Sequence, residues 1–196
     1  MKIKMLSVVA IVMTLIVCVK AGENPVIGQS APAFSAQDQN GKVIQLSDFA
    51  GKTIVLEWMN TDCPFVQRHA KEKTMETLAE KYKEQGVVWL AINSSRDASN
   101  AIDAKWAEEN HLSYPILLDS TSGIARAYGA KATPHMFVID KAGKVVYSGA
   151  IDNDRDGNKT GADKVNYVAK ALDEVLARKS VSTPETAAYG CGVKYR

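Results

Sequence analysis

The residues best suited to chemistry lie in the segment NTDCPFVQRHA, residues 60–70. Cys63 is followed directly by Pro64, and proline is favoured at the first position of a helix. A sulfur at such a junction faces free backbone N–H groups and the positive end of the helix dipole, and both favour the thiolate. We therefore expect Cys63 to be a nucleophile whose pKa lies below the ordinary value of about 8.5.

The side chains around Cys63 are expected to modify its reactivity. Asp62 is a like charge that opposes ionisation of the thiol, whereas Arg68 offers a counter-charge that is poorly aimed. Thr61 lies nearby in the sequence. Val66 stands three residues after Cys63, where a dithiol motif would carry its second cysteine. The competing interpretation is that Cys63 is an inert cysteine buried under a helix.

A second sulfur lies near the C-terminus, in the segment YGCGVKY. A thiolate that attacks a peroxide becomes a sulfenic acid, which needs a second thiol to form a disulfide. With no cysteine at position 66, Cys191 is the internal candidate for this resolving role. The alternative is a terminal cysteine that stays free or pairs with another molecule, because the path of the tail decides how close the two sulfurs come.

The N-terminal segment has the layout of a cleavable secretory signal. MKIK is a short basic start, a continuous apolar run follows, and Ala21 precedes a polar stretch that contains proline. We expect residues 1–21 to be a signal peptide that is cleaved after Ala21. A membrane anchor is the alternative, although the apolar run is short for a span. The sequence therefore predicts a secreted or periplasmic protein.

Cleavage would change both the charge and the cysteine count. Of the 24 basic side chains, three lie in residues 1–21, which leaves 21 against 22 acidic ones and a formal charge of −1. Such a balance favours neither a nucleic acid nor an anionic membrane as a partner. Cys18 is lost with the signal, and the two remaining cysteines would lie in a compartment where disulfides persist.

An acidic segment, DNDRDGNKTGAD at residues 152–163, is the one candidate for a metal site. Asp152, Asp154, Asp156 and Asp163 match the spacing of a calcium loop, although position twelve is Asp and not Glu. A strand precedes the segment where a calcium hand has a helix, and a solvated acidic turn is the alternative. The sequence shows no cysteine and histidine spacing typical of zinc, and we predict no metal and no cofactor.

Hydrophobic patterns predict the elements that position these residues. The apolar runs at 53–60 and 87–93 are typical of strands covered on both faces, and Asn40 with Gly41 predicts an N-terminal hairpin. Helical spacing predicts helices over about 63–84, 98–110, 121–128 and 163–178. Alternation of strands and helices followed by a closing hairpin predicts an α/β fold whose mixed central sheet has helices on both faces.

Five segments together resemble the alkyl hydroperoxide reductase/thiol-specific antioxidant (redoxin) group of thioredoxin-fold proteins. More closely, they resemble its secreted peroxiredoxin-like branch with a CPFV active-site segment. The segments are GQSAPAFSAQDQNGKVIQLSDFAGK, WMNTDCPFVQRHA, GVVWLAINSS, YGAKATPHMFVID with GKVVYSGAID, and PETAAYGCGVKY. The resemblance implies a thioredoxin-like domain over residues 26–178, extended by an N-terminal β-hairpin and followed by a tail, residues 179–196, that carries Cys191.

The resemblance also implies a role for Thr133 and Pro134. In the thioredoxin fold such a proline is cis and packs against the reactive cysteine, and the neighbouring backbone offers an edge to which a substrate chain can pair. A cis bond occurs at only about 5–6% of bonds before proline in folded proteins, so this expectation rests on the family likeness. His69 and His135 are expected to be core or solvated residues.

Two reactions of Cys63 stay open at this point. Typical peroxiredoxins carry proline seven residues before the cysteine, threonine or serine three before it, and an arginine beside the thiolate. This chain has Leu56, Asn60 and Pro134 at those places, which favours thiol–disulfide exchange. The lack of a dithiol motif favours peroxide reduction, an antioxidant activity.

The expected partners follow from these reactions. They are a thiol reductant, a protein disulfide or a small peroxide, with no nucleic acid and no membrane after signal cleavage. The competing function is a thioredoxin-fold binding module that docks a protein while Cys63 is idle. The enzymatic interpretation requires a sulfur that is held, ionised and accessible at the start of a helix.

Overall fold

The structure is a computed structural model that describes residues 27–195. The signal peptide expected at residues 1–21 therefore lies outside the described residues. No helix in the described range is both long enough and apolar enough to cross a membrane. The strands of this range are β1 (Ser35–Asp38), β2 (Val43–Gln45), β3 (Thr53–Met59), β4 (Val87–Asn93), β5 (Ile116–Leu118), β6 (Ala132–Thr133), β7 (His135–Ile139), β8 (Val145–Gly149) and β9 (Cys191–Gly192).

Seven strands form one mixed sheet in the order β2-β1-β5-β4-β3-β7-β8. Strands β3, β4 and β5 are parallel, whereas β7 and β8 extend the sheet in antiparallel fashion. β1 and β2 form the predicted hairpin, and Gly41 takes the left-handed backbone that its turn requires, with φ of +81°. The predicted mixed α/β sheet with an N-terminal hairpin is confirmed.

The helices cover both faces of this sheet. They are α1 (Pro64–Lys71), α2 (Thr74–Lys83), α3 (Asn100–Glu109), α4 (Gly123–Tyr128) and α5 (Tyr167–Leu176). Successive side chains of a strand point to opposite faces, and β3 follows this rule: Val55 and Met59 pack with α1, α2 and α5, whereas Leu56 and Trp58 pack with α4. The central strand is buried along its whole length, as its apolar run predicts.

The helix predicted over residues 63–84 is broken into α1 and α2. Lys73 separates them with a left-handed backbone, φ of 53°, a conformation that a residue with a Cβ adopts only when its surroundings enforce it. The break turns the chain so that Nδ1 of the buried His69 lies 3.2 Å from Oγ1 of Thr74. The pattern of apolar residues carries no sign of this turn, because both halves keep helical spacing.

The final helix is shorter than predicted. It begins at Tyr167, and Oδ1 of Asn166 accepts a hydrogen bond from the N–H of Ala169 as an N-cap. Val165, which the helical pattern placed on the apolar face, precedes the helix and is exposed. The acidic segment therefore runs on as a loop with one short 3-10 turn, Gly161–Asp163, before α5 begins.

The segment predicted as a C-terminal tail packs against the domain. Residues 182–195, here called the C-terminal strap, run from the edge at β8 to the start of α1 and on to β6. The N–H of Ser148 donates to the carbonyl of Pro184, and Cys191 pairs with Thr133 when β9 adds antiparallel to β6. This pairing decides the contents of the candidate site described below.

A carboxyl group lies inside the core on the α1 face of β3. Glu57 is buried, and its Oε2 accepts hydrogen bonds from Nε1 of Trp89 at 2.9 Å and from the hydroxyl of Tyr114 at 3.3 Å. Burial disfavours the charged form, and the pKa of Glu57 is raised from its ordinary value of 4.5 to about 7. Glu57 is thus largely protonated in the folded protein under mildly acidic conditions.

This raised pKa predicts that stability falls with rising pH. Between pH 4.5 and about 7 the unfolded chain ionises Glu57 while the folded chain holds its proton, so the folded state loses about 3 kcal/mol of relative stability across this window. Glu57→Gln keeps an acceptor for Trp89 but cannot titrate. We expect the variant to lose most of this pH slope when unfolding by urea is measured at several pH values.

The matched control is Glu109→Gln, which removes a carboxylate from an exposed ion pair with Lys105. Its pH slope should equal that of the unmodified protein. If the Glu57→Gln protein kept the full slope between pH 4.5 and 7, the buried carboxyl would not be the group that links protonation to folding.

Candidate functional site

Cys63 occupies the expected junction between a central strand and a helix. It is the N-cap residue of α1, and Pro64 occupies the first helical position. The carboxyl end of β3 thus places the sulfur at the positive end of the helix dipole. The sulfur donates a hydrogen bond to the carbonyl oxygen of Thr133, 2.9 Å away. The sulfur therefore lies directly against the backbone that precedes Pro134.

The expectation that this sulfur is accessible is wrong for the structure as it stands. The Cys63 side chain is only 1% exposed. Tyr189 and Cys191 of the C-terminal strap pack into the same cluster as Cys63, so the sulfur is covered from the strap side. The segment that covers Cys63 is the C-terminal strap, which pairs with β6 over two residues. The sulfur is therefore covered by a terminal segment and not by the central strands.

The surroundings of Cys63 favour the thiolate despite this burial. Burial alone would raise the pKa of the thiol, but its polar contacts with Cys191, with Thr133 and with the backbone N–H groups of Val66 and Cys191 outweigh burial, and the pKa is lowered. The N–H of Val66 lies in the first turn of α1, although it does not cap the sulfur with ordinary hydrogen-bond geometry. The expected direction of the shift is confirmed, and the largest favourable contribution comes from the second cysteine.

The peptide bond between Thr133 and Pro134 is cis, as expected. It lies where β6 ends and β7 begins, and β6 pairs with the strap in place of a further strand of the main sheet. The hydroxyl of Thr133 also donates to the carbonyl of Cys191 at 3.4 Å. The backbone edge beside Pro134 is thus occupied by this chain's own tail.

The strap brings the two cysteines of the described chain together. Cys191 stands opposite Thr133 in the β6–β9 register, and both thiols are free. Burial, followed by the interactions with Cys63, raises the pKa of Cys191 to about 11. At neutral pH Cys191 is therefore a protonated thiol, and Cys63 is the sulfur more readily ionised.

The strap is anchored on both sides of Cys191. On the N-terminal side, Oγ1 of Thr186 accepts from the N–H of Ala150 at 2.9 Å and lies 2.7 Å from the hydroxyl of Tyr147. On the C-terminal side, the hydroxyl of Tyr195 donates to the carbonyl of Ala130. These contacts hold residues 186–195 across the end of the sheet where Cys63 lies.

The residues expected to support Cys63 divide into two groups. Thr61, Asp62 and Pro64 lie beside it on the loop and first turn, where Asp62 is exposed and its N–H donates to Oδ1 of Asn60. Arg68 does not act as a counter-charge for the thiolate, because it faces away toward the acidic loop. Its guanidinium donates to the carbonyls of Asp154 and Arg155 at 2.8 Å.

The acidic loop is organised by cationic side chains of this chain and not as a calcium site. Oδ2 of Asp154 lies 3.3 Å from Nζ of Lys164, and its Oδ1 accepts from two backbone N–H groups. Asp152 is buried, whereas Asp156 and Asp163 are exposed. Among residues 27–195 no three His, Cys, Asp or Glu side chains are grouped in a way that could hold a metal ion. The four aspartates of the calcium candidate are therefore not gathered into one site in the described part of the chain.

Two histidines lie near the site and neither contacts a cysteine through a hydrogen bond. Nδ1 of His135 accepts from the N–H of Lys131, and its Nε2 lies 3.2 Å from Oγ of Ser148. Burial lowers the pKa of His135 to about 4, so it is neutral at physiological pH. Nε2 of His69 lies 3.0 Å from the hydroxyl of Tyr189. Both are core residues, as expected.

Sequence reasoning missed Tyr189 and Gly190, the two residues before Cys191. Tyr189 is buried, and its hydroxyl donates to Oδ1 of Asp152. Gly190 has φ of +138°, and a Cβ there would lie 2.0 Å from the carbonyl oxygen of Thr133. The glycines around Cys191 were a usable signal, because a chain that must approach another backbone this closely needs a residue without a side chain.

A cleft of about 340 Å³ opens at the carboxyl ends of β3 and β4, beside the loop that precedes Cys63, although Cys63 itself does not line it. The loop that leads to Cys63 lines one side, through Asn60, Thr61 and Asp62, and Lys194 of the strap lines another. Ligands of open α/β sheets bind at this end of the strands. The cleft therefore offers room for a substrate on the outer side of the loop that carries Cys63.

The influence of the Cys191 thiol on the pKa of Cys63 predicts that this residue controls the ionisation of Cys63. Cys191→Ala removes the thiol donor and leaves burial in place, so the pKa of Cys63 should rise. The fraction of thiolate at a given pH below that pKa then falls. The measurement is the ultraviolet absorbance of the thiolate during a pH titration. Cys191→Ser, which retains a donor, is the control, and an unchanged titration in the alanine variant would contradict the prediction.

Comparisons with known proteins agree with this geometry. The model of the Redoxin family matches residues 27–165. The thiol-disulfide oxidoreductase ResA of Bacillus thuringiensis is 34% identical over 120 residues, which cover 61% of this chain and 67% of that protein.

Two solved structures extend the comparison. A hypothetical protein from Sinorhizobium meliloti superposes with a TM-score of 0.80 at 27% identity, over 89% of this chain and 97% of that one. A putative thiol:disulfide interchange protein DsbE from Chlorobium tepidum superposes with a TM-score of 0.56 at 28% identity, over 64% of this chain and 85% of that one. This chain belongs to the redoxin family and is a thiol-dependent oxidoreductase.

Proposed function

We propose that this protein catalyses thiol–disulfide exchange with Cys63 as the nucleophile and Cys191 as its intramolecular partner. The observation that carries the proposal is the register of β6 with β9. It sets Cys191 opposite Thr133, and the carbonyl of Thr133 is the hydrogen-bond acceptor of Cys63. Two cysteines far apart in sequence thus form a pair beside cis-Pro134. The name of the ResA relatives supports the same reaction.

The two sulfurs have different roles because their environments differ. The lowered pKa of Cys63 makes it the thiolate, and the raised pKa of Cys191, about 11, keeps that residue protonated until its neighbour has reacted. The attacking group in an exchange reaction is a thiolate. Formation of a bond at Cys63 removes its negative charge, which is a cause of the raised pKa of Cys191.

The reaction runs in two exchange steps. The Cys63 thiolate attacks one sulfur of a substrate disulfide, a bond forms between Cys63 and that sulfur, and the other substrate sulfur leaves as a thiolate. Cys191 then loses its proton and attacks Cys63, which releases the second substrate thiol. The substrate disulfide has gained two electrons, the enzyme holds a Cys63–Cys191 disulfide, and a thiol reductant returns it to the dithiol.

Access to Cys63 requires the strap to move. The sulfur is 1% exposed, and the segment that covers it pairs with β6 through only two residues. Residues 185–188 of the strap line a cavity of about 700 Å³, so in this stretch the strap is held chiefly by the bonds of Thr186 to Ala150, Tyr147 and Ser148. We propose that a substrate chain takes the edge beside Pro134 when β9 leaves it.

Variants of each cysteine test the proposal. Cys191→Ser should accumulate a mixed disulfide between Cys63 and the substrate, whereas the unmodified protein proceeds to an internal disulfide and Cys63→Ser forms neither. Multiple turnover of a protein disulfide should fall about tenfold or more in Cys191→Ser, because an external thiol replaces a tethered one. Mass mapping of unreduced peptides identifies each species.

The outcome that would remove Cys191 from the mechanism is specific. Protein shown to be fully oxidised at Cys63, but yielding no peptide that links it to Cys191, would contradict the assigned role. Equal turnover by Cys63→Ser and the unmodified protein would contradict the role of Cys63.

Peroxide reduction is the second candidate, and the burial of Cys63 favours it. While the strap is in place only a small molecule could reach the sulfur. The thiolate would attack the peroxide, release an alcohol or water, and become a sulfenic acid. Condensation with the Cys191 thiol would then form the disulfide and release water, in an antioxidant reaction that contributes to cell redox homeostasis.

A comparison of rates separates the two reactions. We expect one purified sample to reduce a protein disulfide faster than hydrogen peroxide when the internal disulfide is measured by mass. Cys63→Ser supplies the background for both substrates. A peroxide rate well above the disulfide rate would assign the protein to peroxide chemistry instead.

The compartment is part of the proposal. Residues 1–21 have the layout of a cleavable signal, and a reversible disulfide suits an oxidising compartment. We propose a secreted or periplasmic location, with protein disulfides or thiols as the partners. The proposed division into a signal at residues 1–21, a thioredoxin-like domain at 26–178 and a tail at 179–196 rests on the signal layout and on the family resemblance, and the tail contributes the second cysteine.

A further inference from the structure

The hydroxyl of Tyr189 is the centre of a buried polar network next to the two cysteines. It donates to Oδ1 of Asp152 and lies 3.0 Å from Nε2 of His69. His69 and Asp152 are fully buried, and Nδ1 of His69 lies 3.2 Å from Oγ1 of Thr74. Because Tyr189 gives its one proton to Asp152, its oxygen is free to accept from a neutral His69.

The ring of Tyr189 also contacts two side chains of α1. Its centroid lies 5.9 Å from that of Phe65 and 5.9 Å from the guanidinium carbon of Arg68. Both partners belong to α1, the helix that begins at Cys63. Tyr189 therefore ties the strap to the same helix whose N-terminus carries the nucleophile.

The chain between Tyr189 and Cys191 is closely fitted while the strap is docked. Gly190 lies between them, where a Cβ would lie 2.0 Å from the carbonyl oxygen of Thr133. Cys191 then pairs with Thr133, while Tyr189 is fixed two residues earlier by Asp152 and His69. The position of the Cys191 sulfur relative to Cys63 thus depends on the Tyr189 anchor.

We propose that Tyr189, held by Asp152 and His69, is the positioning residue that sets the stability of the Cys63–Cys191 disulfide. This inference rests on the proposed function, because it assumes that the two cysteines form a bridge. Oxidation of the dithiol by glutathione disulfide removes two electrons and two protons from Cys63 and Cys191 and yields two molecules of glutathione. The equilibrium constant rises with the effective concentration of one protein thiol at the other.

Loss of the Tyr189 hydroxyl should make the disulfide easier to reduce. Tyr189→Phe keeps the ring on Phe65 and Arg68 but removes the bond to Asp152, so the strap is held less closely over Cys63. We expect the equilibrium constant for disulfide formation in glutathione buffers to fall about tenfold, which raises the reduction potential by about 30 mV. Asp152→Asn, which retains an oxygen but loses the charge that strengthens the bond, should shift the potential in the same direction by less.

The matched control is Tyr82→Phe. Tyr82 also has a hydroxyl bonded to a carboxylate, at 2.7 Å from Oδ1 of Asp173, and its ring is fully buried, but its hydroxyl joins α2 to α5 and bonds neither Tyr189 nor Cys191. Its loss should lower the free energy of unfolding without moving the potential. If the potential only followed stability, both variants would shift it alike. If Tyr189 positions Cys191, only Tyr189→Phe shifts the potential.

Each outcome is decisive. If the unmodified protein forms no Cys63–Cys191 disulfide in the glutathione buffers, the proposed function fails before Tyr189 is tested. If it forms the disulfide and Tyr189→Phe and Asp152→Asn both keep its potential, or shift it no more than Tyr82→Phe, the positioning role is overturned. Should Tyr189→Phe fail to fold, Asp152→Asn alone decides between these results.

Discussion

The antiparallel pairing of β9 with β6 is the interaction on which the site depends. It spans only two residue pairs, Ala132 with Gly192 and Thr133 with Cys191. Yet it occupies the edge beside cis-Pro134, covers Cys63 and brings a second thiol to it. A short edge pairing contributes little by itself, so the strap also needs its anchors at Thr186, Tyr189 and Tyr195. The chemistry proposed for Cys63 is thus controlled by a segment at the far end of the chain.

This arrangement replaces a dithiol motif with a tertiary contact. In a dithiol motif the second sulfur lies one helical turn after the first, and its distance is set by the helix itself. Here Val66 occupies that place and its side chain is buried in the core, while the second sulfur arrives on the strap. Its distance from Cys63 can therefore change without unfolding α1. In the proposed mechanism this thiol pair opens to admit a substrate and closes again to form a disulfide.

Among the described residues, the charged side chains near the site stabilise the loop that holds the strap and do not contact the Cys63 sulfur. Arg68 donates hydrogen bonds to carbonyl groups of the acidic loop, and Lys164 pairs with its carboxylates. This loop supplies the carboxylate of Asp152 that bonds Tyr189. A buried carboxylate such as that of Asp152 needs donors and counter-charges around it. The spacing that suggested calcium in the sequence is instead the spacing of a loop that closes around side chains from α1 and from its own C-terminal end.

Local patterns in the sequence were sufficient for much of the fold. The apolar run of β3, the turn at Gly41 and the alternation of strands with helices predicted the mixed sheet, and Pro64 marked the start of α1. These signals are local, since each depends on a few neighbouring residues. The break at Lys73 and the late start of α5 were missed because apolar spacing continues through both.

The sequence by itself determined that Cys63 lies between a buried strand and a helix, because hydrophobic periodicity and a proline at the first helical position are read within a dozen residues. Only the tertiary structure decided that Cys63 is covered, that Arg68 turns away from it, and that Cys191 lies beside it. The physical reason is that these facts depend on where a terminal segment pairs. The edge of β6, the carboxylate of Asp152 and the strap with Tyr189 and Gly190 come from separate parts of the chain. They meet only when the whole domain has folded.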